Sequence, residues 1–418
     1  MREMKDSGAR WIGEIPNTWH SDKLKYHLKR KEPKNPDDMT VLSLYRELGI
    51  IPKDSRDDNH NQTSEDTSKY KYVKPGNFVV NKMKAWQGSV AVSDYEGIVS
   101  PAYYVYEFTD NAFDKRYFHH LLRGCYKDEF MRLSSGMRVG QWDLSSDDLN
   151  NTLILIPPLD EQKKIAEFLD EKCSEIDALI SDIQAQIKIL EQYKRSTVIE
   201  TVLKGLDPIL PVKESNIDWI GEIPAHWNMH PLYYYFGEHK NVNALGNENN
   251  LLSLSYGKVI RKDINTNGGL LPNNFNTYNI IEKDDIVLRL TDLQNDKRSL
   301  RTGIAKERGI ITSAYVTLRA IKPLNTQYFY YLLHAYDLMK VLYNMGSGVR
   351  QGLNYEELSK MMLIEPSLDE QNEIVDYLDK KCSEVDSCIS DKKEQIATLE
   401  AYKKSIIFEY VTGKKEVM

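Results

Sequence analysis

The nine residues WIGEIPNTW, Trp11–Trp19, return 208 positions later as WIGEIPAHW, Trp219–Trp227. Other phrases follow in the same order. LDEQ at Leu159–Gln162 recurs at Leu368–Gln371, FLDEKCSEIDALIS (Phe168–Ser181) as YLDKKCSEVDSCIS (Tyr377–Ser390), and YKRS at Tyr193 as YKKS at Tyr402. Weaker echoes lie between these anchors: KPGNFVV with KDDIVL, GIVSPAYYVY with GIITSAYVTL, YFHHLL with YFYYLL, SGMR with SGVR. A unit this long is no solenoid repeat, which runs to about 20–50 residues. The chain is a tandem duplication, and two copies of one unit predict a pseudo-two-fold molecule.

The segment after each LDEQ carries the clearest periodicity. Leu169, Ile176, Ile183 and Leu190 fall seven apart, with Cys173, Ile180 and Ile187 as a second series. The second copy repeats this with Leu378, Val385 and Leu399 and with Cys382, Ile389 and Ile396, interrupted by Lys392. Apolar residues alternating at spacings of four and three make a heptad seam. Neither stretch contains Pro or Gly until Gly205 and Gly413, and Lys194 and Lys403 close both seams. Each seam needs a partner helix, and the other copy supplies one. Connectivity through the Pro-containing link GLDPILPVKES makes the pair antiparallel.

The intervening stretches read as mixed α/β. GNFVVNKM, GSVAVS and AYYVYEF read as strands between Asn, Asp and Gly turns, and the Tyr/Phe-rich YFHHLL and YFYYLL begin short helices. The expected architecture is α+β, with two mixed α/β domains in pseudo-two-fold arrangement, separated by a pair of long antiparallel coiled-coil helices. The boundaries are 1–158 for the first domain, 159–204 for its helix, 205–218 for a linker, 219–366 for the second domain and 367–413 for its helix.

Composition bounds the function. No apolar run reaches the roughly 18 residues of a membrane span, and the N-terminus lacks the apolar core of a signal peptide. Four cysteines in 418 residues argue against a disulfide framework and for a reducing, cytoplasmic setting. The net charge of −7 is unevenly spread. Residues 160–204 hold 10 acidic against 7 basic side chains and 369–416 hold 12 against 8, whereas 20–150 are balanced at 20 each and 228–360 hold 16 basic against 12 acidic. The domains are thus neutral to basic, compatible with a polyanionic partner.

No catalytic motif emerges. The sequence has no GxxxxGK[ST] phosphate loop and no GxGxxG after a strand. Pro157–Pro158 follows Ile156, so the Asn-Pro-Pro-aromatic motif of amino-methyltransferases is absent, and Pro36–Asp37 has no nuclease partner motif. His119–His120 lack further ligands at metal spacing and align with Tyr330–Tyr331, which assigns them to packing. The DEQ carboxylates sit at helix starts, where they suit capping and the helix dipole.

Binding chemistry remains. Lys82, Lys84, Trp86 and Gln87 crowd one loop after a strand; Arg289, Thr291, Asp292, Arg298 and Arg301 crowd its equivalent. Arg forks read guanine, amides read adenine and Lys neutralises phosphate. The SG-x-R turns add Arg138, Gln141 and Trp142 in the first copy, and Arg350, Gln351 and Asn354 in the second. Gly there lets the main chain approach a partner closely.

The WIGEIP-x-x-W openings, the IPP-LDEQ and EPSLDEQ helix entries, the twin long helices and the SG-x-R turns together resemble the specificity subunits of Type I restriction-modification systems, over the whole chain. One departure is Glu365, read opposite Pro157. The resemblance implies two target-recognition domains, each reading half of a bipartite site in double-stranded DNA. It implies helices that space the half-sites and dock two methyltransferase subunits, and through them restriction/translocase subunits. It implies no catalysis and no cofactor on this chain, with S-adenosylmethionine, ATP and magnesium on the other subunits, no metal site and no membrane. The competing readings are an enzyme in its own right and a coiled-coil scaffold that never touches DNA.

Overall fold

The computed structural model describes residues 2–34, 36, 39–45, 48–55, 66–136, 142–264, 274–293, 299–345 and 352–417. The chain divides into two compact units, Met1–Ile183 with Lys393–Met418, and Gln184–Lys392. Neither unit is a simple half of the sequence. Each combines one domain, the N-terminal half of the helix that follows it and the C-terminal half of the other long helix.

Those helices are Leu159–Lys204 and Leu368–Val411. Asp160–Glu161 and Asp369–Glu370 fill the first turns, where carboxylates complement the positive helix end. Gly205 (φ 79°) and Gly413 (φ 70°) lie just past the ends in the left-handed conformation that stops a helix. In the first unit Lys403 Nζ meets Asp177 Oδ1 at 2.6 Å, and the Phe168 and Tyr410 rings stand 4.4 Å apart. In the second, Lys194 Nζ meets Asp386 Oδ1 at 2.7 Å. Rising numbers on one helix face falling numbers on the other, so the pairing is antiparallel in both units, and the lysines that end each seam are its ion-paired closures. Leu169, Cys173, Ile176, Leu378, Val385 and Ile389 are buried, while Ile183, Ile187, Leu190, Ile396 and Leu399 are half-buried. Lys392 sits within the seam and donates to Gln186 Oε1 of the other helix at 2.5 Å, which keeps its charge hydrogen-bonded.

Each domain repeats one set of elements. A four-stranded antiparallel sheet runs Leu28–Arg30, Tyr103–Phe108, Phe78–Asn81, Val90–Val92 in the first, and Phe236–Glu238, Val316–Ala320, Ile286–Leu288, Thr302–Ile304 in the second. Apart from the edge strand Leu28–Arg30, its strands carry the β-branched and aromatic residues that read as strand. The helices Lys115–Cys125 and Thr326–Leu338 bury their Tyr-Phe pairs, Tyr117–Phe118 and Tyr328–Phe329. His120 Nε2 lies 2.7 Å from Asp170 Oδ1, and burial followed by the Arg123 charge pushes His119 down to about 3, so its ring packs in the neutral state. Within the stretch read as linker, Val212–Glu214 pairs with Glu222–Pro224, as Met4–Asp6 pairs with Glu14–Pro16. Strands Leu153–Ile156 and Met362–Glu365 are equivalents, pairing with His20–Lys23 and Asn228–Pro231. This register sets Glu365 opposite Ile156 rather than Pro157; Glu365 accepts from Tyr235 Oη at 3.1 Å.

The repeated phrases meet in space. The second Trp of each opening donates its Nε1 to the Glu of LDEQ: Trp19 to Glu161 Oε2 at 3.0 Å, Trp227 to Glu370 Oε1 at 3.1 Å. The C-terminal glycine of the opposite long helix lies on the same ring, Gly413 on Trp19 and Gly205 on Trp227. Gln162 Nε2 donates to Pro157 O (2.8 Å) and Ala112 O (2.7 Å), while its Oε1 accepts from Asp114 N (2.9 Å). Gln371 does the same between Pro366 O and Asn325 N, both at 3.0 Å. Asp114 and Asn325 are the N-caps of Lys115–Cys125 and Thr326–Leu338. Each buried glutamine therefore ties a long helix to a domain helix. Gln162→Ala strands buried backbone groups, so a loss of about 1–3 kcal/mol is expected in chemical denaturation; a cost below a few tenths would deny the tie.

Candidate nucleic-acid interface

Two loops distant in sequence come together in each domain. In the first, Lys82–Gln87 leaves strand Phe78–Asn81, and Leu144 N donates to Lys82 O at 3.0 Å. Ser135 and Asp143 exchange backbone hydrogen bonds (3.1 and 3.0 Å) at the base of the SG-x-R segment. Trp86 and Trp142 meet edge to face at 5.6 Å, and Lys82 Nζ lies 3.3 Å from Asp143 Oδ2. Trp86 Nε1 donates to Met83 O at 3.1 Å, fixing the turn, and Lys84 is exposed. The second domain uses the same junction: Leu353 N donates to Leu290 O at 2.9 Å. Leu290 and Leu293 are buried there, Thr291 is exposed, and Arg289 and Asp292 are half-exposed.

Not every expected residue faces outward. Arg301 is wholly buried (0% exposed), which removes it from the set of groove-facing side chains. Its guanidinium donates to the carbonyls of Arg289 (3.3 Å), Thr291 (2.7 Å) and Asp292 (3.0 Å), and its Nε to Tyr343 Oη (3.1 Å). Asn354 is the N-cap of helix Tyr355–Leu358 in a capping box with Glu357, so its side chain is committed to a helix start. Arg138, Gln141, Arg298, Arg350 and Gln351 lie outside the described residues. Sequence reasoning missed Tyr343 and Asp337, which hold Arg301 in place; a tyrosine and an aspartate in a helical region carry no signal of that role.

Away from the loops, Glu370 is the most strongly shifted carboxyl of the helix-entry contacts. Burial alone would raise it, but hydrogen bonds from Trp227, His226 and Ser367 hold it at about 2, against 4.5 ordinarily. A depressed carboxyl stabilises the fold above its unfolded value, and that stability is lost as pH falls through the folded value. The second unit is therefore expected to weaken between about pH 4.5 and 2, and Glu370→Gln to flatten that limb in unfolding measured against pH. An unchanged slope would show that Glu370 does not titrate with the fold.

The family model of the Type I restriction modification DNA specificity domain matches twice, over residues 34–189 and 239–401. The chain belongs to this family. Each match begins after the repeated WIGEIP opening and takes in most of one domain and much of a long helix, so the family model falls once on each copy of the duplication. A putative type I restriction enzyme MjaX specificity subunit of Methanocaldococcus jannaschii is 25% identical over 97% of this chain and 96% of its own length. The MjaVIII specificity subunit of the same organism is 26% identical over 83% of each. The Escherichia coli EcoBI specificity subunit is 32% identical over 23% of this chain and 20% of its own. Among solved structures, a chain from a study of complex assembly and conformational transition of the type I R-M system aligns at TM-score 0.63 and 16% identity, covering 96% of this chain and 99% of that one. The HsdS subunit from Thermoanaerobacter tengcongensis aligns at TM-score 0.51 and 15% identity, covering 96% and 98%. The two likenesses share the fold. Among the described residues, no helix is long and apolar enough to cross a membrane.

Proposed function

We propose that this specificity subunit reads a bipartite, asymmetric site in double-stranded DNA, one half per domain, and performs no chemistry itself. The observation that carries this reading is the paired loop junction. Both domains bring two distant loops together on one frame, yet the first presents Lys84 with the Trp86–Trp142 pair and the second presents Arg289, Thr291 and Asp292. One scaffold with unlike donors and acceptors reads unlike sequences.

The long helices supply the docking surface for two methyltransferase subunits and, through them, restriction/translocase subunits. Tyr193 and Tyr402, equivalent in the repeat, are both exposed on these helices, as are Leu179 and Ile189. The tyrosine pair is in register on both copies, which suits two identical partners, whereas Leu179 and Ile189 have Cys388 and Thr398 at the equivalent positions. S-adenosylmethionine, ATP and magnesium belong to those partners, and the complex works in the cytoplasm.

The test is incubation of the purified chain with DNA and labelled S-adenosylmethionine, with and without a cognate methyltransferase subunit. Transfer is expected only with the subunit present, and DNA binding should fall steeply with salt as phosphate-bound counterions are released. Transfer by the chain alone would make it an enzyme; salt-insensitive binding, or none, would make it a scaffold.

A further inference from the structure

The sheet register sets Arg301 opposite a much smaller residue in the first domain. Val80 pairs with Val90 as Leu288 pairs with Thr302. The flanking bonds, Asn81 N to Ser89 O (3.1 Å) and Arg289 N to Arg301 O (2.9 Å), are also equivalent. Ser89 thus stands where Arg301 stands, and the second loop is the longer of the two. The first loop is closed by its own 3-10 turn, Ala85–Gln87, and by Trp86. The second is held from within by an arginine.

That arginine is anchored at both ends. Its backbone N donates to Asp337, a buried residue of helix Thr326–Leu338. Its Nε donates to Tyr343 Oη, which also receives Lys340 Nζ (3.1 Å) and donates to Ser299 O (3.2 Å). Its Nη atoms draw three carbonyls of the loop inward, those of Arg289, Thr291 and Asp292. Asp292 is held at φ 59°, a left-handed conformation that a non-glycine residue keeps only when its surroundings impose it. With the carbonyls turned in, the side chains of the same three residues are left on the accessible side. A guanidinium fork spanning several carbonyls has no lysine equivalent.

We propose that Arg301 is a positioning residue for DNA specificity in the second domain alone: it fixes the main chain of Arg289–Leu293 and so sets which bases that domain accepts, without touching DNA. This rests on the chain being a sequence reader. The test uses the full chain with its methyltransferase partner, and two variants. R301M keeps bulk without donors; R301K keeps charge without the fork and serves if R301M fails to fold. Modified-base sequencing should return the first half-site unchanged and the second degenerate, with discrimination at one or more of its positions falling about tenfold or more. Hydrogen exchange across 289–293 should speed up in the same variant, a readout that needs no DNA. A folded variant with both half-sites intact, with both equally degraded, or with unaltered exchange at 289–293 would overturn the proposal. If the wild-type chain directs no bipartite methylation, the sequence-reader reading fails, and the exchange arm still judges the clamp.

Discussion

Cutting the chain after Lys392 is expected to unfold the unit built on residues 1–183 and to leave residues 184–392 folded. The second unit holds no residue beyond Lys392. The first takes its last core side chains from there: Ile406 and Val411 are buried against its aromatic core, with Leu399 partly so. The cut also removes Val411 O, the acceptor for the buried Tyr117 hydroxyl at 3.0 Å, and Lys403, the partner of Asp177. At about 2 kcal/mol per buried aliphatic side chain and about 1–3 for a stranded buried hydroxyl, the loss approaches the whole stability of an ordinary domain, about 5–15 kcal/mol. Hydrogen exchange resolved by segment would show protection lost over 1–183 and kept over 184–392. Equal loss in both segments, or none, would contradict the division of the chain into these two units.

Replacing Trp19 by Ala is expected to cost about 3–5 kcal/mol, the range for a large buried aromatic, and to spend it in the first unit. Trp227→Ala should do the same in the second. Each ring is buried, donates to the first-turn glutamate of a long helix and carries the terminal glycine of the other. One substitution therefore loosens a helix start and a helix end together. Trp19→Phe keeps part of the packing and loses the hydrogen bond, so it should fall between wild type and Ala. If Trp19→Ala destabilised residues 184–392 as much as 1–183, the pairing of phrase and helix entry would not be local.

The two cases mark what the sequence makes visible. The duplication, the strands around Phe78–Asn81 and Tyr103–Phe108 and the heptad seams are written in local periodicity, and the structure carries each of them. The antiparallel sense of the helices followed from connectivity. That Lys393 onward completes the first unit follows from the same topology, but it leaves no local trace: Tyr117 and Val411 are 294 residues apart. Trp19 and Glu161 likewise belong to two motifs separated by 142 residues, visible in the sequence only as two phrases that both copies of the repeat contain. Arg301 shows the opposite limit. Arginine is rarely buried, so among Arg289 and Arg298 it reads as one more surface cation; only the carbonyls drawn around it reveal a structural part. Asn354 reads as an amide for a base edge and proves to be a helix cap, because capping depends on the Glu357 three residues on.

Modified-base sequencing of a host that carries this subunit with its methyltransferase partner tests the sequence-reader reading most directly. The expected result is methylation at a single bipartite motif with two unlike half-sites, since the two domains present unlike side chains on one frame. A palindromic motif, or no motif dependent on this chain, would contradict it.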